Sequence, residues 1–229
     1  MKVRKLYLIR HVESLKNIRD EHGGLGDSLS NEGKEQCKKI CLLLKNEKLE
    51  RKTTTLFWSS NPQVSETAKI IIKKNFYKSI CDDRLRGINL GVLSGLSRAE
   101  ALEKFPEPAK KLEKWRQNKL KINKLNIPNA ENVLEFYKRV KSLIEDRIIS
   151  SMTPYIVIIG TRSTMIMIVN LFLLGEKFNF NDYKNYDFDC GSITKFIFQK
   201  GKAKLEYLNI TDFLNNKTHL SNKKINRAI

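Results

Sequence analysis

The sequence predicts an α/β protein, a three-layer α/β/α sandwich built on a mostly parallel central sheet with a C-terminal hairpin. Three observations carry this. Short apolar, β-favouring runs at 3–9, 53–58 and 155–159 each end in a polar turn, and each turn gives way to a segment with helical periodicity. These runs are almost uniformly apolar rather than alternating, as strands covered on both faces are. The last two strand-like runs, 192–198 and 202–209, flank Lys200-Gly201 and read as a β-hairpin. At 229 residues the chain is long enough for one substantial core, expected over 1–213, with a polar, basic tail at 214–229.

Taken in order, residues 3–9 form the first strand and run into Arg10 and His11. Lys16 to Leu29, with Gly23, Gly24, Gly26 and Asp27, reads as a loop. Ser30 is the expected N-cap of a helix reaching about Leu49, through Cys37, Ile40, Cys41 and Leu44. A strand over Thr53–Trp58 leads to a helix begun near Pro62 and running to Lys74, then to a short strand, Tyr77–Cys81. Asp82 to Leu96 is a glycine-punctuated loop. Ser97–Asn126, interrupted by Pro106 and Pro108, predicts two short helices. Asn132–Ser150 is an amphipathic helix through Val133, Phe136, Val140, Leu143, Ile144 and Ile148. The strand Tyr155–Ile159 is followed by Gly160-Thr161-Arg162-Ser163 and a very apolar helix ending near Leu174-Gly175.

The composition narrows the function classes. With 41% hydrophobic and 30% charged residues the chain is globular in character, and no apolar run reaches the roughly 18 residues of a membrane helix. The four cysteines, Cys37, Cys41, Cys81 and Cys190, form no CxxC pair. The three histidines, His11, His22 and His219, do not stand beside them at metal-ligand spacing, so neither a metal nor a cofactor is expected. Free thiols suit a reducing, cytoplasmic setting. The formal charge of +18 favours anionic partners, nucleic acid among them, although lysines dispersed over a solvated surface produce the same total.

The chemistry is concentrated where the first strand ends. A histidine held at the carboxyl end of a buried strand faces the crevice in which open α/β sheets bind ligands, and Arg10 beside it offers a fixed fork for phosphate or carboxylate. The pattern Arg10-His11-x-Glu13-Ser14-x-x-Asn17 resembles the signature of the histidine phosphatase superfamily, the phosphoglycerate-mutase-like proteins, with Val12 where the family usually has glycine. Leu29-Ser30-x-x-Gly33-x-x-Gln36 is similar to the family's next segment, and Glu131 matches a family glutamate. The resemblance extends over about residues 3–209. It implies a phosphoglycerate-mutase-like fold, a histidine phosphorylated during turnover, and a variable substrate-facing insertion, here the basic stretch 96–130. Lys110, Lys111, Lys114, Trp115, Arg116, Lys119 and Lys121 in that stretch suit an anionic substrate, or simply a solvated helix face.

Three family positions carry other residues. Ser59 and Thr67-Ala68 match the segment bearing a second phosphate-binding arginine, which aligns with Gln63. The glycine-punctuated loop resembles the segment bearing the general acid, which aligns with Gly87. The strand matching Tyr155–Ile159 delivers a second histidine in the family, and Thr161 stands there. Arg10, Asn17, Gln63, Thr161 and Arg162 are the expected phosphate-binding residues, with His11 the phospho-acceptor if the protein is active. Arg162 is the candidate substitute cation, and Glu13, Asp82, Asp83 or Asp189 the candidate proton donor. The balance points to a degenerate, regulatory or scaffolding protein that holds a phosphate-bearing small molecule or protein partner. A divergent phosphomonoesterase using phospho-His11, and a basic nucleic-acid-binding protein, are the alternatives.

Overall fold

The computed structural model describes residues 4–75, 78–199 and 202–215. Six strands form one sheet in the order β3-β2-β4-β1-β5-β6: β1 (Arg4–Arg10), β2 (Thr54–Trp58), β3 (Lys78–Cys81), β4 (Tyr155–Gly160), β5 (Ile193–Gln199) and β6 (Lys202–Ile210). The pairings β1–β4, β4–β2 and β2–β3 are parallel, and β5 returns antiparallel to both β1 and β6. The sheet is therefore mostly parallel with a terminal antiparallel pair, as the sequence predicts; the turn at 200–201 lies outside the described residues.

The alternation of side chains along the central strands makes the three layers. Leu6 and Leu8 of β1, with Ile156 and Ile158 of β4, pack against α6 (Val133–Leu143) and α7 (Arg162–Leu174). Tyr7 and Ile9, with Val157 and Ile159, face the other way, onto α2 (Asn31–Asn46) and α3 (Pro62–Asn75). All eight of these strand residues are essentially fully buried, so a charge at any of them would have no water to recover.

The register then places the functional ends. Arg10 pairs with Gly160 and Trp58 with Ile159, so the chain leaves β1, β2 and β4 at one edge of the sheet, and His11, Ser59 and Thr161 emerge there side by side. That edge is the crevice of an open α/β sheet. Over it lie α4 (Arg98–Lys104) and α5 (Pro106–Arg116), the two short helices expected of the basic stretch. They are joined to the 19–29 loop by a bridge between Glu21 and Ser97 and by the His22 backbone N–H donating to the Leu96 carbonyl at 2.7 Å.

Several expectations are corrected. The 16–29 loop opens with a one-turn helix, α1 (Leu15–Ile18), because Asn17 Oδ1 accepts from both the backbone N–H and the hydroxyl of Ser14 and closes the turn. The helix expected to run to Ser150 is regular only to Leu143; a π-type turn, Ile144–Ile149, keeps Ile144 and Ile148 buried and leaves Ile149 outside. The polar tail does not begin at Leu214, whose apolar side chain is buried in the short 3-10 turn Asp212–Asn215; residues from 216 lie outside those described. Among the described residues no helix is long and apolar enough to cross a membrane.

Candidate phosphate site

At the crevice edge a cavity of about 170 Å³ is lined by Arg10, His11, Asn17, Gln63, Gly87, Thr161 and Arg162, together with Lys16, Glu21, Trp115 and Arg116. The structure thus brings Arg10, His11 and Asn17 of the signature together with the three altered positions and Arg162 around one cavity; Glu13 and Ser14 of the signature do not line it. The space suits a phosphate-sized group, equal to on the order of five waters.

His11 sits where β1 ends, its backbone N–H donating to the Gly160 carbonyl at 3.0 Å. Its Nδ1 is 2.8 Å from the Val12 carbonyl oxygen. A carbonyl cannot donate, so Nδ1 carries the hydrogen and Nε2 keeps its lone pair. Burial, with the Arg10 and Lys16 charges against the Val12 bond, pushes the imidazole pKa down to about 3. At neutral pH His11 is uncharged, the form that attacks phosphorus. Asn17 spends its carbonyl oxygen on Ser14, which leaves its amide hydrogens as donors. Gly33, the next motif glycine, lies so close to the Glu13 carbonyl that a Cβ would collide with it; the signature segment is held by direct backbone packing on α2.

The cations around His11 are poorly balanced. Arg10 Nη1 donates to the Phe188 carbonyl, while its buried Nε has no partner. Arg162 is paired with Asp187 at 3.1 Å, and that carboxylate is 90% exposed. Arg116, on the last turn of α5, donates to His22 Nδ1 at 3.0 Å and lies 3.6 Å from Glu113. Burial, then Arg98 and Arg162, lower the Arg116 pKa to about 10, and burial with Arg10 lowers that of Arg162. Arg116 and Arg162, whose charged forms are disfavoured first by burial and then by neighbouring guanidinium groups, stand with Arg10 around a cavity that an anion would suit. His22, held to about pKa 4 by burial and by Arg116, stays neutral and serves as the acceptor for Arg116.

The part of the lining formed by the Thr161 turn and the Gly87 loop has a different character. Thr161 caps α7, its hydroxyl 3.2 Å from Ser163 Oγ and 3.1 Å from Thr164 Oγ1. Thr164 donates to the Leu85 carbonyl at 2.9 Å, and Ser163 accepts from the Ile88 N–H at 3.1 Å. Gly87 packs onto this cluster so tightly that a Cβ there would lie 2.8 Å from Thr161 Oγ1. Arg139 holds the loop from behind, donating to the carbonyls of Arg84 and Arg86 at 2.7 Å each and of Gly87 at 3.3 Å, while Glu131 takes its Nε at 2.6 Å and Nη2 at 2.8 Å. Glu131, matched from the family pattern, is therefore a buttress of the loop. Gln63 is 4% exposed, and its Oε1 is buried without a partner.

None of the four candidate proton donors reaches the cavity wall. Glu13 accepts from Ser30 Oγ at the start of α2, Asp82 is engaged by Arg84, Asp83 accepts from the Ser60 N–H, and Asp189 accepts from Asn209. The carboxylate on that wall is Glu21, held by Arg19 at 2.5 Å. Of the seven basic-stretch residues, Trp115 and Arg116 line the cavity, and Lys110 and Lys114 line a separate groove beside His22. Sequence reasoning passed over Lys16 and Glu21 because they fall in what reads as a loop, and nothing in their spacing shows which way that loop folds.

The family model of the histidine phosphatase superfamily (branch 1) matches residues 6–211. The chain belongs to that superfamily. A curated relative from Hydrogenobacter thermophilus named phosphoserine phosphatase 1 is 31% identical over 143 residues, an alignment spanning 62% of this chain and 63% of that relative. A second from the same organism, named putative phosphoserine phosphatase 2, is 29% identical over 208 residues, 90% of this chain and 96% of the relative. In fold the chain resembles a mutant phosphoserine phosphatase from Entamoeba histolytica solved with phosphoserine (TM-score 0.70, 18% identity, 92% of this chain and 99% of that one).

Proposed function

We propose that this member of the histidine phosphatase superfamily is a pseudophosphatase, in which capture of a phosphomonoester survives, ordinary turnover does not, and binding serves a regulatory or scaffolding role. The observation that carries the reading is the split between the two cavity walls. His11, Arg10 and Asn17 offer a nucleophile-shaped and cationic surface, while Gln63, Gly87 and Thr161 offer no guanidinium, no carboxyl and no imidazole. Phosphoryl transfer needs a positive shell around the equatorial oxygens and a proton for the leaving alcohol. Losing one preorganised donor costs ~10²- to 10³-fold and a general acid ~10²- to 10⁴-fold, with incomplete additivity. Glu21 is a poor replacement acid, since its carboxylate is committed to an ion pair with Arg19.

For the ligand, the relatives named as phosphoserine phosphatases direct attention to small phosphomonoesters that also carry a carboxylate. Arg116 and Arg162 at the mouth suit that second anion, because a guanidinium fork matches carboxylate geometry. A second reading, a working phosphatase through phospho-His11, is favoured by one feature: the Val12 bond leaves Nε2 with its lone pair on a neutral ring. Hydrolysis of an aryl phosphate and of a panel of phosphometabolites, with His11→Ala as control, separates the two. The pseudophosphatase shows no His11-dependent release of phosphate; robust turnover abolished by the substitution establishes the enzyme instead.

A further inference from the structure

Lys16 has no place in the family signature, yet the fold commits it to the site. It stands on α1 between the motif residues Ser14 and Asn17, is 8% exposed, and lines the cavity with Arg10, His11 and Asn17. No described carboxylate forms an ion pair with it. The neighbouring acid, Glu21, is taken by Arg19 at 2.5 Å, and Arg19 adds its own positive charge nearby. Burial accordingly holds the Lys16 ammonium below the ordinary lysine range, and its charge is felt at His11, where it disfavours the imidazolium. An ammonium buried this far, whose one acidic neighbour is already ion-paired with another cation, is poorly compensated and a cost to folding. Lysine carries four methylenes and ordinarily snorkels its charge to water, so a lysine kept this deep beside a histidine and an arginine answers to something other than packing.

We propose that Lys16 is a phosphate ligand that supplies, from α1, the second fixed positive charge that Gln63 on α3 does not. Arg10, Lys16 and the Asn17 amide then surround the oxygens of a dianionic phosphoryl group placed at His11. The cradle is rebuilt on the signature side of the cavity rather than shared between β1 and α3. A point charge on a flexible stem binds a tetrahedral dianion without the bidentate geometry a guanidinium requires, which suits a ligand to be held. Lys16 is a binding residue here and takes no part in bond making.

This inference rests on the phosphate-binding reading, and one experiment separates the two. Full-length wild type, K16M, K16R and K16Q are titrated with vanadate and with inorganic phosphate, following heat of binding and melting temperature. K16M keeps the length of the stem and removes the buried charge, so without ligand it should melt at or above wild type. With ligand it should bind at least about tenfold more weakly, the loss expected for one charge-assisted contact to phosphate, and K16R should recover most of that loss. K16Q gives the same answer should K16M fold poorly. Equal vanadate affinity in wild type, K16M and K16Q overturns the assignment of Lys16 while leaving the phosphate site standing. A K16M protein that melts below wild type, with no recovery of binding in K16R, makes the lysine structural and also overturns it. No binding of either anion by wild type removes the phosphate-binding reading itself.

Discussion

The two walls of the cavity solve the problem of buried polarity in opposite ways. On the signature wall, Arg10 Nε has no partner, Lys16 makes no ion pair and shares the attraction of Glu21 with Arg19, and His11 keeps Nε2 unprotonated; burial disfavours the charged forms of Lys16 and His11. On the Thr161–Gly87 wall, Thr161, Ser163 and Thr164 bond to one another and to the Gly87 loop, and Arg139 with Glu131 ties off three carbonyls. The cationic wall has groups left for a ligand to satisfy; on the other wall the Thr161–Gly87 cluster is satisfied internally, and the buried Gln63 Oε1 is the exception. The Thr161–Gly87 side is thus tied together by hydrogen bonds within the protein, while the His11 side presents its cations to the cavity.

The largest effect should come from breaking the closed wall. Arg139→Ala strands Glu131 and frees the carbonyls of Arg84, Arg86 and Gly87, and should cost about 3 kcal/mol in urea unfolding, the scale of removing one partner from a partly buried, hydrogen-bonded pair. A change under 1 kcal/mol would mean that the wall is held by packing alone. Next comes Arg10→Ala on the open wall. Vanadate at a hundred times its dissociation constant should stabilise wild type by about 2.7 kcal/mol and this variant far less. Without ligand, Arg10→Ala should change stability little, which is the contrast with Arg139.

The pH dependence belongs to the open wall too. His11 has a folded pKa of about 3 against about 6.5 unfolded, so the unfolded chain takes up a proton first as pH falls. The stability His11 contributes as a buried neutral ring is present above pH 6.5 and is lost on acidification. At pH 5, still above the carboxylate range, the loss is about 2 kcal/mol. His22, also depressed, adds in the same direction. Denaturation at pH 7 and pH 5 should show this slope in wild type and a shallower one in His11→Asn. An unchanged slope would mean that His11 is solvated and protonates freely.

How much of this was legible in the sequence divides along the same line. The strands, helices and hairpin followed from periodicity and turn residues, because local patterning sets them. The sheet order did not, since β1 lying between β4 and β5 is a tertiary choice. His11, Arg10 and Asn17 stood out because they are consecutive in one motif. Lys16 and Glu21 did not, because their entry into the cavity depends on a one-turn helix closed by Asn17 and on the His22 strap to the 95–97 segment. The proposed acids Glu13, Asp82, Asp83 and Asp189 failed for the same reason: proximity in a motif or loop says nothing about which carboxylates are already taken as caps and ion-pair partners.

The smallest predicted effect is the most specific to this chain. Gly87 and Thr161 look like two independent losses in the sequence, whereas in the fold they are one packing arrangement. A Cβ at 87 would come within 2.8 Å of Thr161 Oγ1 and 3.2 Å of Ser163 Oγ, both already fixed by hydrogen bonds. Gly87 does not have a positive φ, so the cost of Gly87→Ala is steric rather than conformational. It should be about 1 kcal/mol, at the low end of overpacking. Thr161→Ala removes the obstructing hydroxyl, and the double variant should recover most of what Gly87→Ala loses, a coupling of at least about 0.5 kcal/mol in a double-mutant cycle. Strict additivity would show that the loop yields freely and that the two positions changed separately. Coupling would show that the two positions pack as one unit, so that a side chain at 87 is accommodated best when Thr161 changes with it.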